Sequence, residues 1–241
     1  MISKKVISDI VSKYSLGGNI EAVKWEVDND TLIINFINAS QTLIGKVGYK
    51  EGIGLKKGDY GIFNTSQLIK CLNILDGDIL IDATSSKLNM ADTNYDIKIR
   101  LADPVAVPKV GKVTKSKIDA SFKVNDEFIT RFVKSKDALN ELEKFTIETR
   151  KGFNGEELVF TMGNDSKTNT IEFAVEATVN NEFDKLPFDS NLVKEILKAN
   201  RTYTEGEIHI HDKRLLEANF TFDDGFNFYT DYNLVRLQDN E

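Results

Sequence analysis

Leu68-Ile69-Lys70-Cys71-Leu72, followed by Gly77-Asp78-Ile79-Leu80-Ile81 and closed by Ile99-Arg100-Leu101, returns later in the chain in recognisable form. The second copy is Leu192-Val193-Lys194-Glu195-Ile196, then Gly206-Glu207-Ile208-His209-Ile210, then Val235-Arg236-Leu237. Each set reads as an amphipathic helix followed by strands, so one helix-plus-strands unit is written twice. In both copies a lysine, Lys70 or Lys194, lies opposite the apolar stripe of its helix. A two-fold repeat with basic helices in an otherwise acidic chain suits a body that surrounds a polyanion without reading it.

The length of 241 residues accommodates two units of roughly 110 to 130 residues each. With 41% hydrophobic and 29% charged residues the composition is that of a folded globular chain, which argues against disorder. No run is long and apolar enough for a membrane span, and polar residues interrupt Met1 to Tyr14 too often for a signal peptide, so a cytoplasmic protein with no membrane partner is expected. The lone Cys71 has no intrachain partner, which fits a reducing compartment.

The net charge of −7 would by itself argue against phosphate binding, but its distribution argues the other way. Four helices of about ten to fourteen residues follow from 3.6-residue periodicity: Ser3 to Tyr14, Ser66 to Leu75, Asp126 to Asp137, and Ser190 to Asn200. Asn64, set against Gln67 as in a capping box, and Asp189 read as N-caps. Ten basic side chains in and beside these helices face six acidic ones, so the acidic excess lies in the strands and loops. Lys136 falls on the apolar side of its helix and is read as lying past the helix end. Cys71 is read as a buried small hydrophobe beside Leu68, Leu72 and Leu75.

Between the helices, alternation predicts strands at Ile20 to Val27, Thr31 to Asn38, Thr42 to Tyr49, Asp78 to Ala83 and Tyr95 to Leu101. In the second half they are Phe145 to Arg150, Leu158 to Met162, Thr170 to Ala177, Glu207 to His211, Leu216 to Thr221 and Phe226 to Leu237. Asp28-Asn29-Asp30, Asp76-Gly77 and Asp223-Asp224-Gly225 read as turns. Asp103 to Lys112 carries two of the three prolines and reads as an extended linker. The expected domains are residues 1–102 and 115–241, joined by 103–114.

No catalytic constellation emerges. Gly52 to Gly58 lacks the phosphate-loop spacing and reads as a flexible hairpin loop. His209 and His211 alternate on one strand face, but a metal would need carboxylates arriving from elsewhere, and a solvated or interface face is the simpler reading, with no metal or cofactor expected. Clustered aromatics for stacking single-stranded bases are also missing.

At the level of element order the chain resembles a sliding clamp, most closely the DNA polymerase processivity clamp of T4-like bacteriophages. The resemblance rests on the Ser3-Lys4-Lys5 helix, on Tyr60-Gly61-Ile62-Phe63 leading into Leu68 to Leu75, and on Leu101-Ala102-Asp103-Pro104. It continues with Ala120-Ser121-Phe122-Lys123-Val124 running into Asp126-Glu127-Phe128, and with the aromatic C-terminal strand around Tyr232. The lysine-rich Lys115 to Lys123 stretch and the extension Gln238 to Glu241 depart from that pattern. What the resemblance implies is an α+β fold of two tandem clamp domains, with antiparallel sheets outside and four helices lining the hole of a homotrimeric ring around duplex DNA. It further implies opening by an ATP-dependent clamp loader and tethering of a replicative DNA polymerase through a C-terminal peptide, without enzymatic activity, in the cytoplasm of a phage-infected host cell. On that view Lys5, Lys70, Arg131, Lys134, Lys194, Lys198 and Arg201 face DNA, and Val105, Val107, Pro108 and Leu237 border the peptide pocket. The competing expectations are a virion or structural β-sandwich protein and a hydrolase with an unrecognised carboxylate site.

Overall fold

In a computed structural model the described residues are 1–153, 155–163, 169–223 and 227–238. The chain forms two compact units, Met1–Lys112 with Phe222–Thr230, and Val113–Thr221 with Asp231–Glu241.

The first unit runs β1 (Ile2–Ser3), α1 (Lys4–Ser15), β2 (Val23–Asp28), β3 (Thr31–Ile37), β4 (Leu43–Tyr49), β5 (Gly58–Ile62), α2 (Thr65–Ile74), β6 (Asp78–Ala83), β7 (Lys87–Ala91) and β8 (Asp96–Arg100). The second runs β9 (Ile118–Lys123), α3 (Asp126–Ala138), β10 (Lys144–Lys151), β11 (Glu156–Met162), β12 (Ile171–Glu176), the two-residue β13 (Thr178–Val179), β14 (Leu186–Asp189), α4 (Ser190–Ala199), β15 (Glu205–His211), β16 (Leu215–Thr221) and β17 (Phe228–Val235). Without β13 the two series have one element order. Strand order repeats as well: β1-β6-β7-β8 matches β9-β15-β16-β17, and β4-β3-β2-β5 matches β12-β11-β10-β14. Every pairing with a defined register is antiparallel. The duplication in the sequence is therefore a duplication of topology. The first residues of β17, Phe228–Thr230, belong to the first unit.

Local chemistry sets the helix starts. Ser3 accepts from the Lys5 amide, Asn64 from Gln67 at 2.8 Å, Asn125 from Phe128 at 2.8 Å, and Asp189 from Asn191 and Leu192. The apolar stripes then pack inward, α1 against β4, α3 against β12 and α4 against β10. In the first unit Ile7, Ile10, Val11, Tyr14, Leu68 and Leu72 are buried, with Tyr14 beside Phe36. In the second the core is a phenylalanine cluster in which Phe128 meets Phe160 at 5.1 Å and Phe132 meets Phe145 edge-on at 5.0 Å.

Several sequence expectations change. The stretch Gly52 to Gly58 is not a hairpin loop: it carries the chain from β4 to β5, at the far edge beyond β3 and β2, and buries Ile53 and Leu55. Gly52 and Gly54 adopt positive φ on the way, 73° and 82°. The 103–112 segment is not uniformly extended, because Asp103 caps a short 3₁₀ turn at Pro104–Ala106. Just before it, Ala102 donates to the Gly61 carbonyl at 2.9 Å, an approach that only a glycine at 61 permits, since a Cβ there would lie 2.5 Å from the Ala102 oxygen. Cys71 is half-buried, turned toward the edge of the stripe. Alternation did not anticipate strands β1, β5, β7, β9, β13 and β14; the residues of β5 and β9 entered only through the family resemblance. Asp224, Gly225 and Phe226 of the anticipated turn and strand lie outside the described residues, as do positions 239–241.

Candidate nucleic-acid interface

Each unit sets two helices side by side, α1 with α2 and α3 with α4. Basic side chains stitch both pairs. The Lys4 ammonium donates to the Leu75 carbonyl just past the end of α2, where free carbonyls and the helix dipole favour a cation. Lys194 on α4 pairs with Asp137 on α3, and this hydrogen bond holds the Asp137 carboxyl below its ordinary range.

The seven anticipated cations divide into two groups. Lys5, Lys70, Lys134 and Arg201 are exposed and make no side-chain pair among the described residues. Arg131 pairs with Glu127 one turn back, Lys198 with Glu195 at 3.4 Å, and Lys194 with Asp137. Exposed pairs of this kind are worth roughly 0–1 kcal/mol, so a polyanion could exchange for the carboxylates at small cost. Lys5 and Lys70 belong to the first unit; the other five belong to the second.

Two further lysines of these helices are not available to any ligand. Lys13 is 1% exposed, its ammonium 4.1 Å from the centre of the Phe222 ring and 5.0 Å from that of Phe228; burial lowers its pKa to about 8, against a raising influence from Asp9. Lys136, expected past the helix end, lies inside α3, 2% exposed, and its ammonium donates to the Asn140 carbonyl at 2.6 Å. Burial and the nearby Lys194 lower its pKa.

Of the anticipated pocket residues, Val105 is 80% exposed, Pro108 is exposed and Val107 is buried, all in the first unit. Leu237 lies in the second, half-buried, with its amide on the Pro187 carbonyl at 2.9 Å.

His209 and His211 do not sit on a solvated face. His211 is buried and bonds Glu217 of β16 at 2.6 Å, and His209 lies in register with that same Glu217. Burial alone would push the Glu217 carboxyl up, but donors from His209, Lys115, Asn219 and His211 hold it well below the carboxylate range. Glu217 was not anticipated as a partner of the histidines, although counting outward from the Asp212-Lys213-Arg214 turn places it opposite His209.

No known family profile matches the sequence, and no curated protein matches it. Solved structures do. Proliferating cellular nuclear antigen from Entamoeba histolytica is similar with a TM-score of 0.74 at 14% identity, over 98% of this chain and 96% of that one. The A. fulgidus PCNA bound by the C-terminal region of FEN-1 gives 0.75 at 13% identity, over 100% and 98%. The PCNA2–PCNA3 complex from Sulfolobus tokodaii gives 0.72 at 14%, over 98% and 97%. With four helices, repeated antiparallel sheets and end-to-end correspondence, the chain has the PCNA-type sliding-clamp fold.

Proposed function

We propose that this chain is a non-enzymatic sliding clamp that closes round duplex DNA as a homotrimer and tethers a replicative DNA polymerase. The observation that carries the reading is the end-to-end correspondence with clamp structures, over 98–100% of this chain and 96–98% of theirs. The basic helix pairs support it. Lysines off the apolar stripe neutralise phosphates without a fixed register, as a sliding contact requires.

Two open sheet edges support the assembly. Among the described residues β8 pairs only with β7 and β12 only with β11, leaving one edge of each free. Ile97 and Ile99 on β8 and Phe173 and Val175 on β12 are only half-buried, an exposure that natural edges usually avoid. Joining β8 of one copy to β12 of the next is a head-to-tail contact, which closes into a ring when the rotation permits. The Sulfolobus tokodaii PCNA2 and PCNA3 form a complex with each other, and the A. fulgidus PCNA is bound by the C-terminal region of FEN-1. By the same logic a polymerase C-terminal peptide docks on the first unit at Val105, Val107 and Pro108, and an ATP-dependent loader opens the ring. A T4-like phage and the cytoplasm of its host are the proposed setting.

The test is topological. A solution mass of three times 27.2 kDa is expected. After loading on nicked circular duplex, half the sample is linearised: loss from linear DNA with retention on circles is the expected result, whereas equal retention on both, or a clean monomer at micromolar concentration, overturns the reading. A protein held by phosphate contacts alone would leave both forms together as salt rises.

A further inference from the structure

On the face of β15 and β16 turned away from Ile208 and Ile210, three side chains converge without any part in DNA or peptide binding. His209 and His211 are two apart on one strand, and Glu217 is the direct cross-strand partner of His209. One ligand atom from each of the three lies within 4.8 Å of the others. His211 and Glu217 are each 5% exposed at the side chain and His209 is 19% exposed, which leaves one side open to solvent.

The hydrogen bonds of the three residues divide in an informative way. Glu217 receives Lys115 and, at 2.7 Å, the Asn219 amide on Oε1, so that oxygen is used. Its other oxygen, Oε2, faces Nε2 of His211 at 2.6 Å and Nδ1 of His209 at 3.7 Å. Both imidazoles have their outer nitrogens engaged. His211 Nδ1 lies 3.0 Å from the Ser116 carbonyl, which can only accept, so that nitrogen carries a proton and Nε2 is the ring nitrogen turned toward Glu217. His209 Nε2 lies 3.2 Å from the Glu207 carboxylate, which in the same way leaves Nδ1 facing inward. Two ring nitrogens and a carboxylate oxygen thus point at one another, an arrangement made favourable by a cation shared between them, either a metal ion or the ring protons that otherwise donate to Glu217. Outer nitrogens held by a carbonyl and a carboxylate are also the supporting shell that orients metal-bound histidines.

We propose that His209 Nδ1, His211 Nε2 and Glu217 Oε2 form a divalent transition-metal site, best suited to zinc, with a fourth position open to water on the His209 side. An ion at 2.0–2.2 Å from nitrogen and oxygen ligands in tetrahedral geometry sets ligand separations of about 3.4 Å, between the 2.6 and 3.7 Å found here. Charge agrees. Glu217 and Asp231 share one ammonium, Lys115, and Glu207 pairs with His209, so three carboxylates meet a single lysine and the surroundings favour a cation. The lysine-rich stretch that begins at Lys115 supplies the lid, Lys115 bridging Glu217 and Asp231 and Ser116 orienting His211. A metal there would bind β15 and β16 to the segment entering the second unit, which makes its role structural. The site stands apart from the clamp reading and survives its failure.

The test uses the full chain, stripped with a chelator and dialysed against Zn²⁺ or Co²⁺. Retention of one ion per chain, a tetrahedral Co²⁺ absorption spectrum, and a higher unfolding temperature with Zn²⁺ are expected. At a zinc concentration 100 times the dissociation constant, the folded state should gain about 100-fold over the unfolded one. His209→Ala, at the more exposed ligand, should weaken binding at least about 10-fold while leaving the unfolding temperature of the metal-free chain nearly unchanged. Failure of the wild type to retain metal overturns the proposal, as does equal retention by His209→Ala. Nitrogen NMR that finds both ring nitrogens of His211 protonated in the presence of Zn²⁺ overturns it too, by identifying the bridging cation as a proton.

Discussion

Lys13 and Lys136 show that the same side chain on the same kind of helix can serve opposite ends. Both count toward the basic character of the helices in the sequence, yet both are almost wholly buried, one against phenylalanine rings and one against a main-chain carbonyl. Lys13 has a measurable consequence. Its pKa falls from 10.5 in the unfolded chain to about 8 in the fold, so between these values the unfolded state binds more protons and stability rises with pH. The gain is complete above 10.5 and is lost as pH falls toward 8. A shift of this size corresponds to about 3 kcal/mol, less whatever the ring faces of Phe222 and Phe228 return to the ammonium. Denaturant unfolding of the wild type should show this rise, and Lys13→Met should lack it while being the more stable protein at pH 7. Parallel pH profiles for the two proteins would refute the assignment.

Among elements, the helices are where sequence and structure agree best, because their starts are decided by side chains next to them. Ser3, Asn64 and Asp189 cap where periodicity begins, and each boundary falls within one or two residues of expectation. Strands β7 and β14 escaped notice for an equally local reason. Leu88 and Met90 are the only apolar residues on the buried face of β7, and β14 is four residues long with Pro187 inside it, tolerable because it lies at a sheet edge. Lys136 was misplaced because its long apolar stem satisfies the stripe while its ammonium escapes at the helix end. The basic face of α4 was legible from spacing alone, but its pairing with Asp137 was not, because that contact depends on how α3 lies beside it. Replacing Lys194, Lys198 and Arg201 together by alanine should therefore cost about 0.5–1 kcal/mol, mostly from the lost Asp137 pair, and leave the fold intact. Loader-dependent processive synthesis should fall, and its dependence on salt should become shallower because fewer phosphate contacts remain to be screened. Unchanged synthesis at every salt concentration would remove this face from the DNA-binding surface.

At the scale of the whole molecule, β8 and β12 leave each copy with one open edge at each of two separate sheets. A head-to-tail assembly of such copies tolerates no defective member, because one blocked edge leaves a chain of subunits that cannot meet its own beginning. Ala174→Pro, in the middle of β12, removes a main-chain donor there, and is expected to yield a folded protein that enters assemblies through β8 and halts them. Mixed in equal amounts with the wild type, it should leave only about one eighth of the proposed trimers fully competent, the share in which all three members are drawn from the intact pool. Titrating the variant into a processivity assay at constant wild type reads this directly: activity that falls far below simple dilution marks a poison subunit, and activity that follows dilution would mean that β12 makes no joint. In the proposed ring, the open edge of one strand would make a faulty copy dominant over intact ones, since each closed assembly would need every member sound.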